Sequence, residues 1–330
     1  MDTIRFGIIG AGKHGSRYAK HIVEDIPQAE LIAVCRRDQA EGQQLAKQYR
    51  CAYLADYRQL LADPQIDTVV IVVPPYLHED IVTAASQAKK HILLEKPFAV
   101  NVATGRRIYE VLDRDNTRCM VAQTLRFNAV VQTMLQHIPQ IAPLHSLYLS
   151  QRFEPSTLPW LDCKAESGGG IILHTGVHSF DLLRVLSGSE VSQVWCQTQT
   201  IVTKETEDNF SMCCQLVDPS HSHTMHGVVA GSRSTASRSG LIEISGEHGQ
   251  LVGDHHHNFS YLIRGSERIP LPVAPSVPTV RETLRTFVDN LRTGTPFPIT
   301  PEDGLRAVAI AEACYRSAAS GRVAAVAPSQ

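Results

Sequence analysis

The chain has 330 residues, of which 43% are hydrophobic and 19% are charged. This length is too great for one typical hydrophobic core and predicts two domains. The 31 basic and 33 acidic side chains give a formal net charge of -2, which argues against a nucleic-acid partner. We find no apolar run long enough for a membrane span and no signal-peptide pattern after Met1. With eight scattered cysteines and no C-x-x-C pair, this predicts a cytoplasmic protein with reduced thiols.

Short apolar runs alternate with helical patterns in the first part of the chain. A continuous β-branched run such as 68–73 is typical of a strand buried on both faces. Strands are predicted at 4–9, 31–35, 68–73, 92–94 and 119–122, and helices at 39–49, 78–88 and 101–114. This βαβ alternation predicts a parallel sheet with right-handed crossovers, an α/β dinucleotide-binding domain over residues 1–123.

The pattern changes beyond about residue 124, where longer strand-like stretches follow one another. These predicted strands are 145–153, 191–202, 208–217, 223–231, 240–252 and 258–264, with helices at 171–186, 280–293 and 301–319. The pattern predicts an α+β second domain over 124–330 with a large, mostly antiparallel open sheet. The last helices could pack back on the first domain. The loop 154–170 is long enough to suggest a function.

A glycine-rich turn follows the first predicted strand directly and opens a helix. It has the form G-x-G-x-x-G, which is weak evidence alone but is here in the required context. The glycines permit a tight turn and let the backbone approach a pyrophosphate, while the helix N-terminus offers N–H groups and partial positive charge. The turn therefore predicts a dinucleotide site at Gly10, Ala11, Gly12, Lys13, His14 and Gly15.

The residues after the second predicted strand indicate which dinucleotide binds. An acidic side chain there would accept hydrogen bonds from the ribose hydroxyls and repel a 2′-phosphate. This chain has Arg36 and Arg37 instead. Arginine offers planar donors to a phosphate, so the sequence favours NADP(H), with NAD(H) as the alternative.

Further candidate residues stand at the ends of the predicted strands 68–73 and 92–94, where ligands of open α/β sheets bind. We predict that Val73, Pro74, Pro75, His78, Glu95 and Lys96 contact the cofactor. Lys96 lies between a strand and Pro97. Near a cationic nicotinamide ring its pKa would be lowered, so that it could serve as an acid or base.

Two histidines follow the run Gly168-Gly169-Gly170. In a regular helix His174, His178 and Asp181 would share one face, at i, i+4 and i+7. Catalysis is one interpretation, and a buried, purely structural histidine pair is another. The His-x-x-x-His spacing also matches a zinc helix, but Thr175 stands where the catalytic Glu would be. We therefore predict no metal.

The whole chain resembles the glucose–fructose oxidoreductase / inositol dehydrogenase / rhizopine catabolism (Gfo/Idh/MocA) family. The motifs that carry the resemblance are GIIGAGKHG at 7–15, VVPPYLH at 72–78, EKPF at 95–98, LRFN at 125–128, GGGIILHTGVHSFDLL at 168–183 and ITPEDGLRAVAIAEACYRSAASGR at 299–322. The resemblance implies a Rossmann domain and an α/β domain whose open sheet forms a homodimer or homotetramer. It also implies hydride transfer between a nicotinamide and a sugar, cyclitol or related carbonyl compound.

The resemblance also assigns roles to individual residues. Lys96 matches the family's lysine, His178 its catalytic histidine, and Arg126 a motif near the nicotinamide. With His174, Lys96 and His178 form the predicted catalytic set. The predicted substrate contacts are Lys96, Arg126, Trp160, His174 and His178, although Trp160 could instead pack at a subunit interface.

One position departs from the family pattern. The family has Asp where this chain has His174, and that Asp pairs with the lysine. An imidazole would not stabilise the ammonium of Lys96 as a carboxylate does. This predicts a lower pKa for Lys96 and a different substrate geometry, or a loss of activity.

The combined prediction is an NADP(H)-dependent oxidoreductase of a polyhydroxylated carbonyl or alcohol. Lys96 and His178 would polarise the oxygen and move its proton, and His174 would orient Lys96 or bind a hydroxyl. Two alternatives stay open: a non-catalytic NAD(P)-binding regulator, and a glycosidase that retains its cofactor.

Overall fold

The chain folds into two compact units, described over residues 3–218 and 224–328 of a computed structural model. The first unit contains the chain up to Ala99 together with Ala103–Thr124 and Pro278–Leu305. The second contains Val100–Val102, Leu125–Val277 and the residues from Arg306 onward. Within the described ranges no helix is long and apolar enough to cross a membrane.

A six-stranded parallel sheet forms the centre of the first unit, in the order β3-β2-β1-β4-β5-β6. Its strands are β1 (Ile4–Ile9), β2 (Ala29–Cys35), β3 (Ala52–Leu54), β4 (Thr68–Ile71), β5 (His91–Leu94) and β6 (Cys119–Val121). The order reverses between β1 and β4, and such a reversal creates the crevice in which doubly wound sheets bind dinucleotides. The sequence did not locate β3, because three partly exposed residues give no periodic signal.

A nine-stranded sheet forms the centre of the second unit, in the order β14-β13-β12-β11-β7-β10-β9-β8-β15. Its strands are β7 (Leu144–Arg152), β8 (Glu190–Gln199), β9 (Asn209–Val217), β10 (Thr224–Ser232), β11 (Ser239–Gly246), β12 (Gly249–Asp254), β13 (Phe259–Arg264), β14 (Glu267–Pro270) and β15 (Ala324–Ala325). Among these strands β7 and β10 pair in parallel and the other neighbours are antiparallel. The predicted fold class, a parallel dinucleotide-binding sheet followed by a mostly antiparallel one, is confirmed.

Ten helices occur in the described residues. They are α1 (Gly15–Glu24), α2 (Gln39–Tyr49), α3 (Tyr57–Ala62), α4 (His78–Gln87), α5 (Val102–Arg114), α6 (Ala129–His137), α7 (Lys164–Ser167), α8 (Val177–Ser187), α9 (Thr279–Thr293) and α10 (Pro301–Ser320). Helix α9 belongs to the first unit, where its Phe287 ring lies 6.2 Å from the ring of Phe6 in β1. Both side chains are fully buried, so the late helix completes the core of the first unit.

Two predicted strands of the second unit were wrong in their limits. The stretch 240–252 is a hairpin, because Gly246 pairs with Gly249 and Gly249 has φ +144°, a conformation that favours glycine. The stretch 191–202 ends at Gln199, because the next N–H groups bind the carboxylate of Asp208 instead of a neighbouring strand. Position 223, predicted to begin a strand, lies outside the described residues.

Candidate functional site

The glycine turn connects β1 to α1 and has the geometry that a dinucleotide needs. Gly10 has φ +92°, and a Cβ there would lie 2.1 Å from the carbonyl oxygen of Val72. A Cβ on Gly15 would lie 2.3 Å from the carbonyl oxygen of Gly10. A Cβ on Gly12, in contrast, would meet nothing within 4 Å. The turn thus requires Gly10 and Gly15 for its own packing and leaves open space beside Gly12, as a bound pyrophosphate would require.

Arg36 and Arg37 follow β2, but they differ in their surroundings. The guanidinium of Arg36 pairs with the carboxylate of Glu41 and donates a 3.2 Å hydrogen bond to the carbonyl oxygen of Ala11. Arg36 is half-buried against the glycine turn and Arg37 is exposed. The predicted 2′-phosphate ligands therefore comprise one arginine with a carboxylate partner and one that extends into solvent.

Glu95 is the best-connected side chain at the end of β5. It is 4% exposed and accepts hydrogen bonds from the Tyr18 hydroxyl at 2.5 Å and from Nε2 of His14 at 2.7 Å. Its second oxygen accepts a 3.1 Å hydrogen bond from the backbone N–H of Lys96. Burial would raise the pKa of this carboxyl, but His14, Lys96 and Tyr18 outweigh it and hold the pKa at about 2. Glu95 thus stays ionised and joins the glycine turn to the backbone of Lys96.

The segment after β4 is held in place by a buried histidine. Val73 and Pro74 lead into a short 3₁₀ turn, Pro75–Leu77, and α4 begins at His78. The His78 ring is fully buried, with Nε2 3.1 Å from the Val73 carbonyl oxygen and Nδ1 3.3 Å from that of Phe98. Burial lowers the pKa of this imidazole, so one ring nitrogen donates at a time. Through these two contacts His78 holds the segment after β4 in position.

In the second unit, the predicted histidine helix begins as a π-helix, Ile172–Gly176, and continues as α8. His174 is 4% exposed, and its Nε2 donates a 3.0 Å hydrogen bond to the carbonyl oxygen of Ser167. The Trp160 ring lies edge-on to the His174 ring, with centroids 5.3 Å apart. His178 is half-buried one turn further on. The second unit therefore brings Trp160 and His174 together, while Lys96 belongs to the first unit.

Asp181 lies on α8, the same helix as His178, and it binds a guanidinium. Its two carboxylate oxygens accept hydrogen bonds of 2.6 and 2.7 Å from the guanidinium of Arg126. The side chains of Arg126 and Asp181 are only 14% and 2% exposed. Asp181 is therefore a counter-ion of the Arg126 guanidinium.

Sequence reasoning missed Glu207, which holds the start of the histidine helix. Its carboxylate accepts hydrogen bonds of 3.0–3.1 Å from the N–H groups of Gly170 and Ile172 and one of 2.8 Å from the Tyr315 hydroxyl. These are N–H groups that the beginning of a helix leaves without an intrahelical partner. Glu207 lies far from them in the sequence, so no local spacing indicated the contact.

Comparison with known proteins identifies the family. Residues 4–123 match the model of the oxidoreductase family with an NAD-binding Rossmann fold, and residues 140–252 match the GFO/IDH/MocA C-terminal domain. Over 329 residues the chain is 26% identical to myo-inositol 2-dehydrogenase of Thermotoga maritima, covering 95% of this chain and 96% of that protein. Over 330 residues it is 27% identical to inositol 2-dehydrogenase of Rhizobium meliloti, covering 97% and 98%. A solved structure of levoglucosan dehydrogenase with NADH has a TM-score of 0.89 at 20% identity, over 98% of this chain and 99% of that one.

The fold and the strand-end residues define a dinucleotide-dependent oxidoreductase. The chain belongs to the Gfo/Idh/MocA family, as the sequence motifs predicted. It is an enzyme, an NAD(P)-dependent dehydrogenase or reductase. A non-catalytic regulator and a cofactor-retaining glycosidase are not favoured.

Proposed function

We propose that this enzyme transfers hydride between NADP(H) and a polyhydroxylated alcohol or carbonyl compound of the sugar or cyclitol class. Two relatives are named inositol 2-dehydrogenases, which supports a CH–OH group as the reacting centre. The observation that carries the proposal is the Glu95 cluster, because one buried carboxylate connects His14 of the glycine turn to the backbone of Lys96. The same carboxylate therefore helps to position both the turn that would bind the dinucleotide and the lysine that would transfer the proton.

In this proposal Lys96 and His178 bind the substrate oxygen and move its proton. A bound nicotinamide supplies the hydride donor or acceptor at C4. Arg126 and Trp160 contribute to the substrate side, Arg126 through a guanidinium fixed by Asp181 and Trp160 through its ring against His174. His174, which bonds the Ser167 carbonyl, either orients Lys96 or holds a neighbouring hydroxyl.

The preference for NADP(H) over NAD(H) rests on Arg36 and Arg37. A 2′-phosphate attracts guanidinium groups and accepts two hydrogen bonds from each. Glu41 opposes this, because it pairs with Arg36 and would repel a phosphate. We propose that the phosphate displaces Glu41 from Arg36 and recruits the exposed Arg37.

Self-association through the open face of the second sheet is also part of the proposal. Trp195, Cys213, Val228 and Tyr148 lie side by side in one register row across β8, β9, β10 and β7. Trp195 is 42% exposed, Cys213 is exposed, and Val228 and Tyr148 are half-buried. A largely apolar, partly exposed row is typical of a protein–protein interface. Light scattering on the wild type and on Trp195→Glu tests this: we expect a dimer or tetramer that the variant weakens, and a monomeric wild type would contradict it.

A substrate screen tests the proposed activity. Sugars and cyclitols, beginning with myo-inositol, are incubated with NADP⁺ and in parallel with NAD⁺, and absorbance reports the reduced cofactor. We expect turnover on at least one polyol, with the higher kcat/KM for NADP⁺. No turnover with either cofactor, in the forward or the reverse direction, would contradict the proposed substrate class.

A further inference from the structure

The second unit contains a cavity beside the loop 154–170. Its volume is about 330 Å³, within the range of small-molecule sites. Parts of the loops 155–162 and 202–208 line it, together with Gly170, Ile171, His174 and Arg233. His174 therefore connects this cavity to the residues assigned above to the substrate.

Three carboxylates on the cavity wall are already occupied by backbone N–H groups. Asp208 accepts from Ile201, Val202 and Thr203, Asp162 from Lys204, Glu205 and Thr206, and Glu207 from Gly170 and Ile172. Such contacts stabilise the charged form of a carboxylate and fix the loops. These three acids therefore shape the cavity through contacts with the backbone. Arg233 also lines the cavity.

Arg233 follows β10 and is half-buried. Its Nη2 donates a 2.7 Å hydrogen bond to the Thr175 hydroxyl, and its backbone N–H donates to the carbonyl oxygen of Asp208. Within residues 3–218 and 224–328 no carboxylate lies within 4.0 Å of this guanidinium, the distance that defines an ion pair. Burial lowers the pKa of Arg233 from its ordinary value, although it stays charged at neutral pH.

A guanidinium has five N–H donors in a planar fork, and the Arg233 side chain uses Nη2 on a neutral hydroxyl. A partly desolvated cation with unused donors gains most from an anion that accepts two parallel hydrogen bonds. A neutral polyol would leave the charge without a counter-ion. A phosphate dianion would be repelled more strongly than a carboxylate by Asp162 and Asp208 on the same wall.

We propose that Arg233 binds the carboxylate of an acidic substrate, so that the enzyme acts on a sugar acid, an aldonate or a uronate, in preference to a neutral sugar. This inference rests on the proposed function, since it names the substrate class of that site. The hydrogen bond to Thr175 orients the guanidinium, and Thr175 is adjacent to His174. Arg233 is itself one of the residues that line the cavity.

Calorimetric titration of the full-length protein tests this with matched probes. The pairs are D-glucuronate with D-glucose, D-galacturonate with D-galactose, and D-gluconate with D-glucitol. We expect the acid of at least one pair to bind about tenfold or more tightly than its neutral partner, as for a charge-assisted bidentate contact. If the wild-type protein binds the acid and the neutral compound equally well in all three pairs, the proposal is overturned.

Variants then assign the preference to Arg233. Arg233→Gln should remove the preference for the acid, Arg233→Lys should keep part of it, and Arg268→Gln, at an exposed arginine on β14, should leave it intact. An undiminished preference in a folded Arg233→Gln protein would overturn the assignment. Turnover is scored separately: oxidation of neutral cyclitols with no acid preference supports the proposed function and overturns this inference. Acid binding that depends on Arg233, without turnover of any polyol, supports this inference and overturns the proposed function.

Discussion

Nε2 of His14 lies 2.7 Å from Oε1 of Glu95, and this contact joins the glycine turn to the end of β5. The two residues are distant in sequence and both flank the crevice of the parallel sheet. Because Glu95 is buried and ionised, the contact is a charge-assisted hydrogen bond, which is stronger than one between neutral groups. Because Glu95 also binds the backbone N–H of Lys96, it holds the glycine turn and the Lys96 backbone in a fixed relative position.

Replacing Glu95 by Gln should destabilise the fold and weaken dinucleotide binding. The folded pKa of Glu95 is about 2, against an ordinary value of 4.5. A shift of that size corresponds to about 3 kcal/mol of stability at neutral pH. Since the folded pKa is the lower one, the stabilisation is complete above about pH 5 and is lost as the pH falls from 4.5 towards 2. Urea unfolding at several pH values measures this.

The matched control is Glu110→Gln, at an exposed position on α5. We expect its free energy of unfolding to stay within about 0.5 kcal/mol of the wild type. A Glu95→Gln protein as stable as this control at pH 7 would show that the cluster around Glu95 contributes nothing to the fold.

Removing Glu41 should increase the selectivity for NADP(H). In Glu41→Gln the guanidinium of Arg36 loses its carboxylate partner, and the repulsion between that carboxylate and a 2′-phosphate disappears. We expect NADPH to bind several-fold more tightly, with little change for NADH. Arg36→Ala should reduce the preference by about tenfold. The dissociation constants of both cofactors, measured by fluorescence, give the ratio.

Arg114→Ala serves as the control. Arg114 ends α5 and precedes β6, so it lies towards the N-terminal ends of the parallel strands, whereas the glycine turn follows the C-terminal end of β1. Its ratio of NADPH to NADH affinity should equal that of the wild type. Tighter binding of NADH than of NADPH by the wild type would refute the preference for the phosphorylated cofactor.

His174→Asp restores the residue that the family pattern has at this position. The variant loses the hydrogen bond to the Ser167 carbonyl at a site that is 4% exposed, which should cost about 1–3 kcal/mol of stability. A carboxylate stabilises the ammonium form of a lysine and raises its pKa. The limb of the pH–rate profile that reports Lys96 should therefore move to higher pH. Single-turnover rates across the pH range measure it.

His174→Ala removes the imidazole without adding a carboxylate, so its profile should not move to higher pH. If the Asp and Ala variants have the same profile, position 174 does not act on the lysine, and the role assigned to His174 is wrong.

The sequence predicted the sheets well because their signals are local. The run at 68–73 and the glycine turn mark buried parallel strands and a helix start by composition alone. The contacts that shape the site are different in kind. Glu207 caps a helix from the distant loop between β8 and β9, and Asp208 ends β8 because its carboxylate binds the N–H groups that follow the strand. Such contacts depend on which loops lie close together in the folded chain, and the hydrophobic periodicity of the sequence does not indicate this.

The histidine helix shows the same limit at one position. Regular helical spacing predicted one face for His174, His178 and Asp181, but it indicated neither the π-helix Ile172–Gly176 nor the pairing of Asp181 with Arg126. The close approach of Gly170 to Glu207 at the start of this helix likewise joins residues far apart in the sequence, so local spacing did not indicate it.

The most direct test of the account is the turnover of Lys96→Ala on a polyol that the wild type oxidises, with cofactor affinity measured on the same samples. Proton transfer by a positioned side chain contributes about a hundredfold or more to the rate. We expect kcat to fall by at least about that factor, while the dissociation constant for NADPH stays close to the wild-type value, because the glycine turn and Glu95 are unchanged. A Lys96→Ala enzyme that keeps full turnover would contradict the central role of this lysine.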